Sequence, residues 1–166
     1  MAYPFKHILY SVVCVLLQVL WFNNINIVWG TTAFLYITVI LGLPSDIGQK
    51  PIITIAFFTG LIVDIFGTTP GVHCTSLTML AFMRSFLLRI TNTHNTGNDI
   101  VKPSIHSMGF FSFLNYSFIS SFIFCAISMA LQAFSQFELA TYLAKTLICT
   151  IVTTASLVVF EFVERK

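Results

Sequence analysis

Charge is what this sequence lacks most. Only 8 % of its 166 residues are Asp, Glu, Lys or Arg, against about 25 % in an ordinary soluble domain. A chain so short of charge cannot cover itself with a hydrated surface. The formal net charge is only +2, too small for the basic field that holds nucleic acid. The four cysteines, Cys14, Cys74, Cys125 and Cys149, all lie in apolar runs. They form no C-x-x-C pair and no metal-ligand spacing, so they read as buried, inert thiols. His7, His94 and His106 are scattered through terminal and loop positions, which argues against a metal centre. There is no phosphate-binding loop, no nucleophile elbow, and no Ser-His-Asp or Ser-Lys set. The chain therefore reads as a non-enzyme without a cofactor. The two halves show no repeat, so the inverted-repeat transporter pattern gets no support. Lys6 and His7 precede the apolar run 8–22, but Gln18, Trp21 and Phe22 stand where a leader would carry small cleavage residues. That run is expected to be a retained helix.

What the chain has is apolar bulk. It is 57 % hydrophobic with eighteen Phe residues, and its mean hydropathy is +0.90. The expected fold class is an all-α integral membrane protein, one domain over residues 1–166, built as a six-transmembrane-helix bundle. The expected spans are 8–22, 25–43, 51–66, 72–88, 110–134 and 139–160, separated by polar or Gly/Pro-containing turns. The second is the least regular. Residues 31–43 alone are short for a bilayer, and Gly30 marks a bend or re-entrant start. With both termini in the cytoplasm, Lys6, Lys50, Arg84, Arg89, Lys102, Arg165 and Lys166 fall on the inner side, and only Lys145 falls toward the outside. That bias is the positive-inside pattern.

Asp64 is the chemically informative residue. It stands in the apolar run Gly60-Leu61-Ile62-Val63-Asp64-Ile65-Phe66, followed by the turn Gly67-Thr68-Thr69-Pro70-Gly71 and then Val72-His73. A carboxyl group at membrane depth needs partners, and such groups are kept for packing or function. A proton relay would want more carboxylates at depth, and the spans offer only Glu161, at the inner end of the last. The preferred reading is a polar clasp that fixes the hairpin, through His73 or through backbone and hydroxyl donors around Thr68. Arg84 lies twelve residues beyond Val72, roughly 18–20 Å along its helix, too far to be a direct partner. Ala56, Gly60, Asp64 and Thr68 recur every fourth residue and form one stripe of small or polar side chains, along which membrane helices approach closely. Ser117, Ser121 and Ser128, with Ser120 beside them, form a similar stripe. Glu161 and Arg165 form an i,i+4 pair at a solvated helix end.

The segment from Phe57 to His73, with Gly60-Leu61-x-x-Asp64, Gly67 and Gly71, and with Arg84 and Arg89 further on, resembles the signature of the MreD family of rod shape-determining proteins. The resemblance covers residues 57–89; elsewhere it is one of hydropathy. It implies a bacterial inner-membrane, multi-pass scaffold that binds the bitopic protein MreC. Through MreC it would act with MreB, RodA and a penicillin-binding transpeptidase in side-wall peptidoglycan synthesis. It also implies a bundle similar to the substrate-binding membrane subunit of energy-coupling-factor transporters. Gly60, Asp64, Gly67, Gly71 and Arg84 carry over as structural or interface residues; Ala56, Pro70 and His73 join them from the stripe and turn. The rival reading is a vitamin-binding subunit of such a transporter. That family meets its partner through an Ala-x-x-x-Ala face on its first helix, and the first span here has no Ala. Self-association into a homo-oligomer is left open by the sequence.

Overall fold

The computed structural model describes residue 18 and residues 34–44, 47–91, 103–132 and 139–164. Every regular element among them is helical: α1 (Ile37–Leu41), α2 (Gln49–Gly67), α3 (Val72–Thr91), α4 (Ile105–Met108), α5 (Phe110–Gln132) and α6 (Leu139–Glu164). Of the expected first span only Gln18 is described, and it is helical. The second is described from residue 34 on and contains only the short α1. The rest of both lies outside the described residues.

Among the described residues three helices are long and apolar enough to cross a membrane: Gln49–Gly67, Phe110–Gln132 and Ala140–Phe162. α3 has a comparable length, 20 residues. It is less apolar because it carries His73, Arg84 and Arg89 together with several Ser and Thr. The outward faces of these helices are lined with large apolar side chains. Phe58, Ile65 and Phe66 on α2, Phe82 and Phe86 on α3, Phe111 on α5 and Ile151 on α6 are all well exposed. A face of that kind is stable against lipid and not against water.

The helices pack in sequence, α2 on α3, α3 on α5 and α5 on α6. α2 buries Ile52, Ala56, Thr59, Gly60, Val63 and Asp64, which is one face at helical spacing. Thr68, expected on the same stripe, is exposed. It lies beyond the last helical residue, where the chain has already turned away. α3 and α5 run antiparallel. The His73 ring lies over Phe124 with centroids 6.4 Å apart, whereas Arg84, eleven residues later, neighbours Tyr116, eight residues earlier.

Several boundaries differ from the sequence expectation. α3 continues through Arg89 to Thr91 instead of stopping at residue 88, and α6 runs on to Glu164; α5 is described as far as Gln132, and the expected residues 133 and 134 lie outside the described residues. Helix ends at a membrane surface can remain helical in polar sequence, because water satisfies their last carbonyls. α4 was not anticipated within the polar loop. It is nucleated by a capping box in which the Ser104 hydroxyl accepts from the Ser107 amide and the Ser107 hydroxyl accepts from the Ser104 amide. Gly109, at φ 82°, then lets the chain enter α5.

Candidate functional site

The turn between α2 and α3 is short, and both helix ends present unpaired backbone groups there. The Asp64 carbonyl accepts from the amides of Thr68, which caps α2, and of Thr69. The Asp64 side chain serves the other helix. Its Oδ1 accepts from the His73 amide at 3.0 Å and from the Thr69 hydroxyl at 3.1 Å. Its Oδ2 accepts from the Cys74 amide at 2.9 Å. The Val72 amide reaches the Thr69 carbonyl, and the Thr75 amide bonds Gly71 within the helical pattern. The orphan donors that open a helix are thereby accounted for. Asp64 is a helix cap for α3 supplied from the preceding helix, and its acidic group lies at the end of α3 whose dipole favours it. An unsatisfied amide in hydrocarbon costs several kcal/mol, so this capping bears on hairpin stability.

Reach is what makes the cap work. An Asp side chain is short, so the two backbones must nearly touch. Gly60, one turn before Asp64, supplies that closeness. A Cβ placed on it would stand 2.5 Å from the Cys74 Cα, 2.8 Å from the Cys74 nitrogen and 2.8 Å from the His73 oxygen. No L side chain fits against backbone at such distances. Ala56, a turn earlier still, is fully buried. Gly60 and Asp64 are thus two halves of one device: the first lets α3 in, and the second bonds its amides.

His73 joins the clasp through its backbone amide, not through its ring. The ring Nδ1 instead shares a 2.7 Å hydrogen bond with the Tyr36 hydroxyl. Phe34 and Phe124 crowd around that pair, with Phe34 5.4 Å from the His73 ring and 5.2 Å from that of Phe124. The segment before α1 is tied down as well, since the Leu35 amide donates to Gln18 Oε1 at 2.8 Å. One continuous network therefore connects α2, α3, α5 and the residues leading into α1.

The remaining expected residues have simpler places. Gly67 is the last residue of α2, Pro70 is exposed in the turn, and Gly71 takes φ 81° with open space around it. The left-handed residue at the end of α2 is Thr68, at φ 53° and ψ 29°, not the preceding glycine. Arg84 does not approach Asp64. It is buried deep in the bundle and donates to the Leu43 carbonyl. Ser117, Ser120, Ser121 and Ser128 are all buried, as expected of a packing stripe.

Two features had no warning in the sequence. The thiols of Cys125 on α5 and Cys149 on α6 lie 3.0 Å apart; they are 24 residues apart in the chain and in no recognisable motif. The Tyr36–His73 bond was equally hidden, although a polar tip in the apolar run 34–41 is a usable hint. On the outer side of the hairpin lies a groove of ≈ 390 Å³ lined by Ile53, Phe57, Cys74, Thr75, Thr78, Met79 and Phe82. The hydroxyls of Thr75 and Thr78 bond back to the carbonyls of Gly71 and Cys74. The lining therefore offers little polar chemistry to a ligand. Among the described residues no group of three His, Cys, Asp or Glu gathers as a metal site would.

Comparison with family models, with curated proteins and with solved structures gives no match for this chain.

Proposed function

We propose that this chain is a non-catalytic membrane scaffold of the MreD kind, acting in the bacterial cell-elongation machinery. In this reading it sits in the inner membrane as a six-helix bundle with both termini in the cytoplasm. It binds MreC, and through MreC it acts with MreB, RodA and a penicillin-binding transpeptidase on side-wall peptidoglycan. The observation that carries the reading is the use made of Asp64. The carboxyl group of the signature segment is turned onto its own hairpin by three hydrogen bonds, two from the His73 and Cys74 amides and one from the Thr69 hydroxyl. The same motif that carries the family resemblance is thus a structural clasp, as suits a protein that works by holding a shape. The exposed apolar faces of α2, α3, α5 and α6 suit lipid and partner helices.

The direct test is co-expression with the MreC of the same bacterium and co-purification in mild detergent. A stable complex that survives size exclusion is expected. Capture instead by the ATP-hydrolysing module of an energy-coupling-factor transporter, without MreC, would overturn the reading in favour of the vitamin-binding subunit.

A further inference from the structure

The groove on the hairpin is fixed at both of its ends. At one end α2 and α3 touch, where Gly60 lies against the Cys74 backbone. At the other the Gln49 side chain crosses between the helices and donates to the Phe82 carbonyl at 3.0 Å. Between these pins the helices leave a cleft, walled by Ile53 and Phe57 of α2 and by α3 from Cys74 to Phe82. Its polar atoms are already used. The Thr75 and Thr78 hydroxyls bond back to their own helix, and the Cys74 thiol donates to the Phe57 carbonyl at 3.6 Å. An occupant therefore gains apolar contact there and no hydrogen bond.

Width says which occupant. Cys74 to Phe82 is about 12 Å of helical rise. Spread over that length, the groove's ≈ 390 Å³ gives a mean cross-section of about 30 Å², against roughly 80–110 Å² for a helix with its side chains. A partner helix does not fit inside. A single hydrocarbon chain, about 4 Å thick by carbon contact distances, does.

Charge supplies the rest. Lys50, in the first turn of α2, shares a face with Ile53 and Phe57 at helical spacing. Arg89 follows Phe82 and Phe86 along one face of α3, two turns past the groove. Both cations are exposed, and neither has an ion-pair partner among the described residues. Helical side chains lean toward their own N-terminus. Arg89 thus leans back toward the groove, and Lys50, on the antiparallel helix, leans toward Arg89. An anion held by both stands just past the groove's open end.

We propose that the groove binds an anionic phospholipid, with one acyl chain lying between α2 and α3 and the headgroup phosphate held by Lys50 and Arg89. This rests on the membrane fold and not on the scaffold assignment.

The full-length chain, purified in mild detergent and stripped of lipid, is melted against rising dioleoyl phosphatidylglycerol, zwitterionic dioleoyl phosphatidylcholine, or inorganic phosphate. The melting temperature should rise at much lower phosphatidylglycerol than phosphatidylcholine. It should not respond to inorganic phosphate, which brings no chain to the groove. Lys50→Gln and Arg89→Gln should each weaken the response roughly fivefold in lipid concentration, about the effect of one cation at a lipid surface. Lys145→Gln, a cation on α6, which does not line the groove, should leave it intact. Thr78→Phe, which fills the groove with a ring, should remove the response without lowering the lipid-free melting temperature. The proposal is overturned if the two lipids act alike, if inorganic phosphate acts without lipid, or if the response survives in Thr78→Phe or in the Lys50→Gln/Arg89→Gln double variant. A wild-type dimer on size exclusion that Thr78→Phe splits would assign the groove to a second copy of the chain and overturn it equally.

Discussion

Adding a single methyl group at Gly60 should unclasp the hairpin. In an open helix, Gly→Ala is stabilising by about 1 kcal/mol, because Ala has less backbone entropy to lose. Here the new Cβ would stand 2.5 Å from the Cys74 Cα, against an ordinary carbon contact of about 3.5–4.0 Å. The atoms in the way are backbone, so they cannot swing aside, and the helices must part by roughly 1 Å or bend. Overpacking of that kind costs about 1–3 kcal/mol. The same movement stretches the 3.0 and 2.9 Å bonds from the His73 and Cys74 amides to Asp64 toward about 4 Å, where they no longer count as bonds. Each such bond to an acidic group is worth about 1.5–3 kcal/mol, less in a bilayer, where measured polar contacts average about 0.6 kcal/mol. The sum outweighs the gain in helix propensity, and Gly60→Ala should be destabilised by about 2 kcal/mol, Gly60→Leu by more. In detergent melts that corresponds to a loss of roughly 5 °C for the Ala variant at this chain length. A Gly60→Ala protein that melts higher than the wild type would refute the close approach, and a Gly60→Leu protein of unchanged stability would show that this face looks onto lipid.

Three further expectations follow from the same region and from the α5–α6 seam. Asp64→Asn keeps one oxygen but turns an NH₂ group onto an amide donor, so it should lose about 1–2 kcal/mol, while Asp64→Leu, which strands all three donors, should lose more; equal melting temperatures for the two would contradict the cap. Thr68 is a β-branched residue held at φ 53°, a conformation costing about 1–2 kcal/mol, so Thr68→Gly should raise the melting temperature, and a drop would mean that its 2.7 Å hydroxyl bond to the Gly67 carbonyl matters more than the strain. Cys125 and Cys149, with sulfurs 3.0 Å apart, should be joined by a membrane-permeant thiol oxidant such as diamide, read as a loss of two hydrogens in the intact mass; a Cys125→Ser protein should not change, and a wild type that stays reduced would show that the two thiols do not meet.

The hairpin was the most legible part of the molecule. Apolar periodicity, the four-residue spacing of Ala56, Gly60 and Asp64, and a Gly/Pro turn all act over short stretches of chain, and short-range signals can be read directly. The same spacing extended the stripe one step too far, to Thr68, because periodicity says nothing about where a helix ends. The sequence pointed to His73 as a partner of Asp64 but could not say that its amide makes the bond and that its ring turns to Tyr36, since ring orientation is decided by Phe34 and Phe124, which arrive from distant parts of the chain. Arg84 reads as an ordinary basic residue near a helix end, where long cations reach for the interface. Only the three-dimensional arrangement shows it turned inward onto Leu43. The meeting of Cys125 and Cys149 depends on the relative rotation of α5 and α6, which no local pattern fixes. α4 escaped because four helical residues carry no periodicity, although the Ser104–Ser107 pair was in plain sight.

The most direct test of the account measures MreC retention and rod shape together in cells that depend on this chain, with wild type, Asp64→Asn and Asp64→Leu. If Asp64 is a clasp within a scaffold, both readouts should decline in that order and in step, following the stability of the hairpin. Loss of rod shape in Asp64→Asn cells whose MreC complex remains intact would contradict it, because the acidic group would then be serving chemistry or transport instead of holding two helices together.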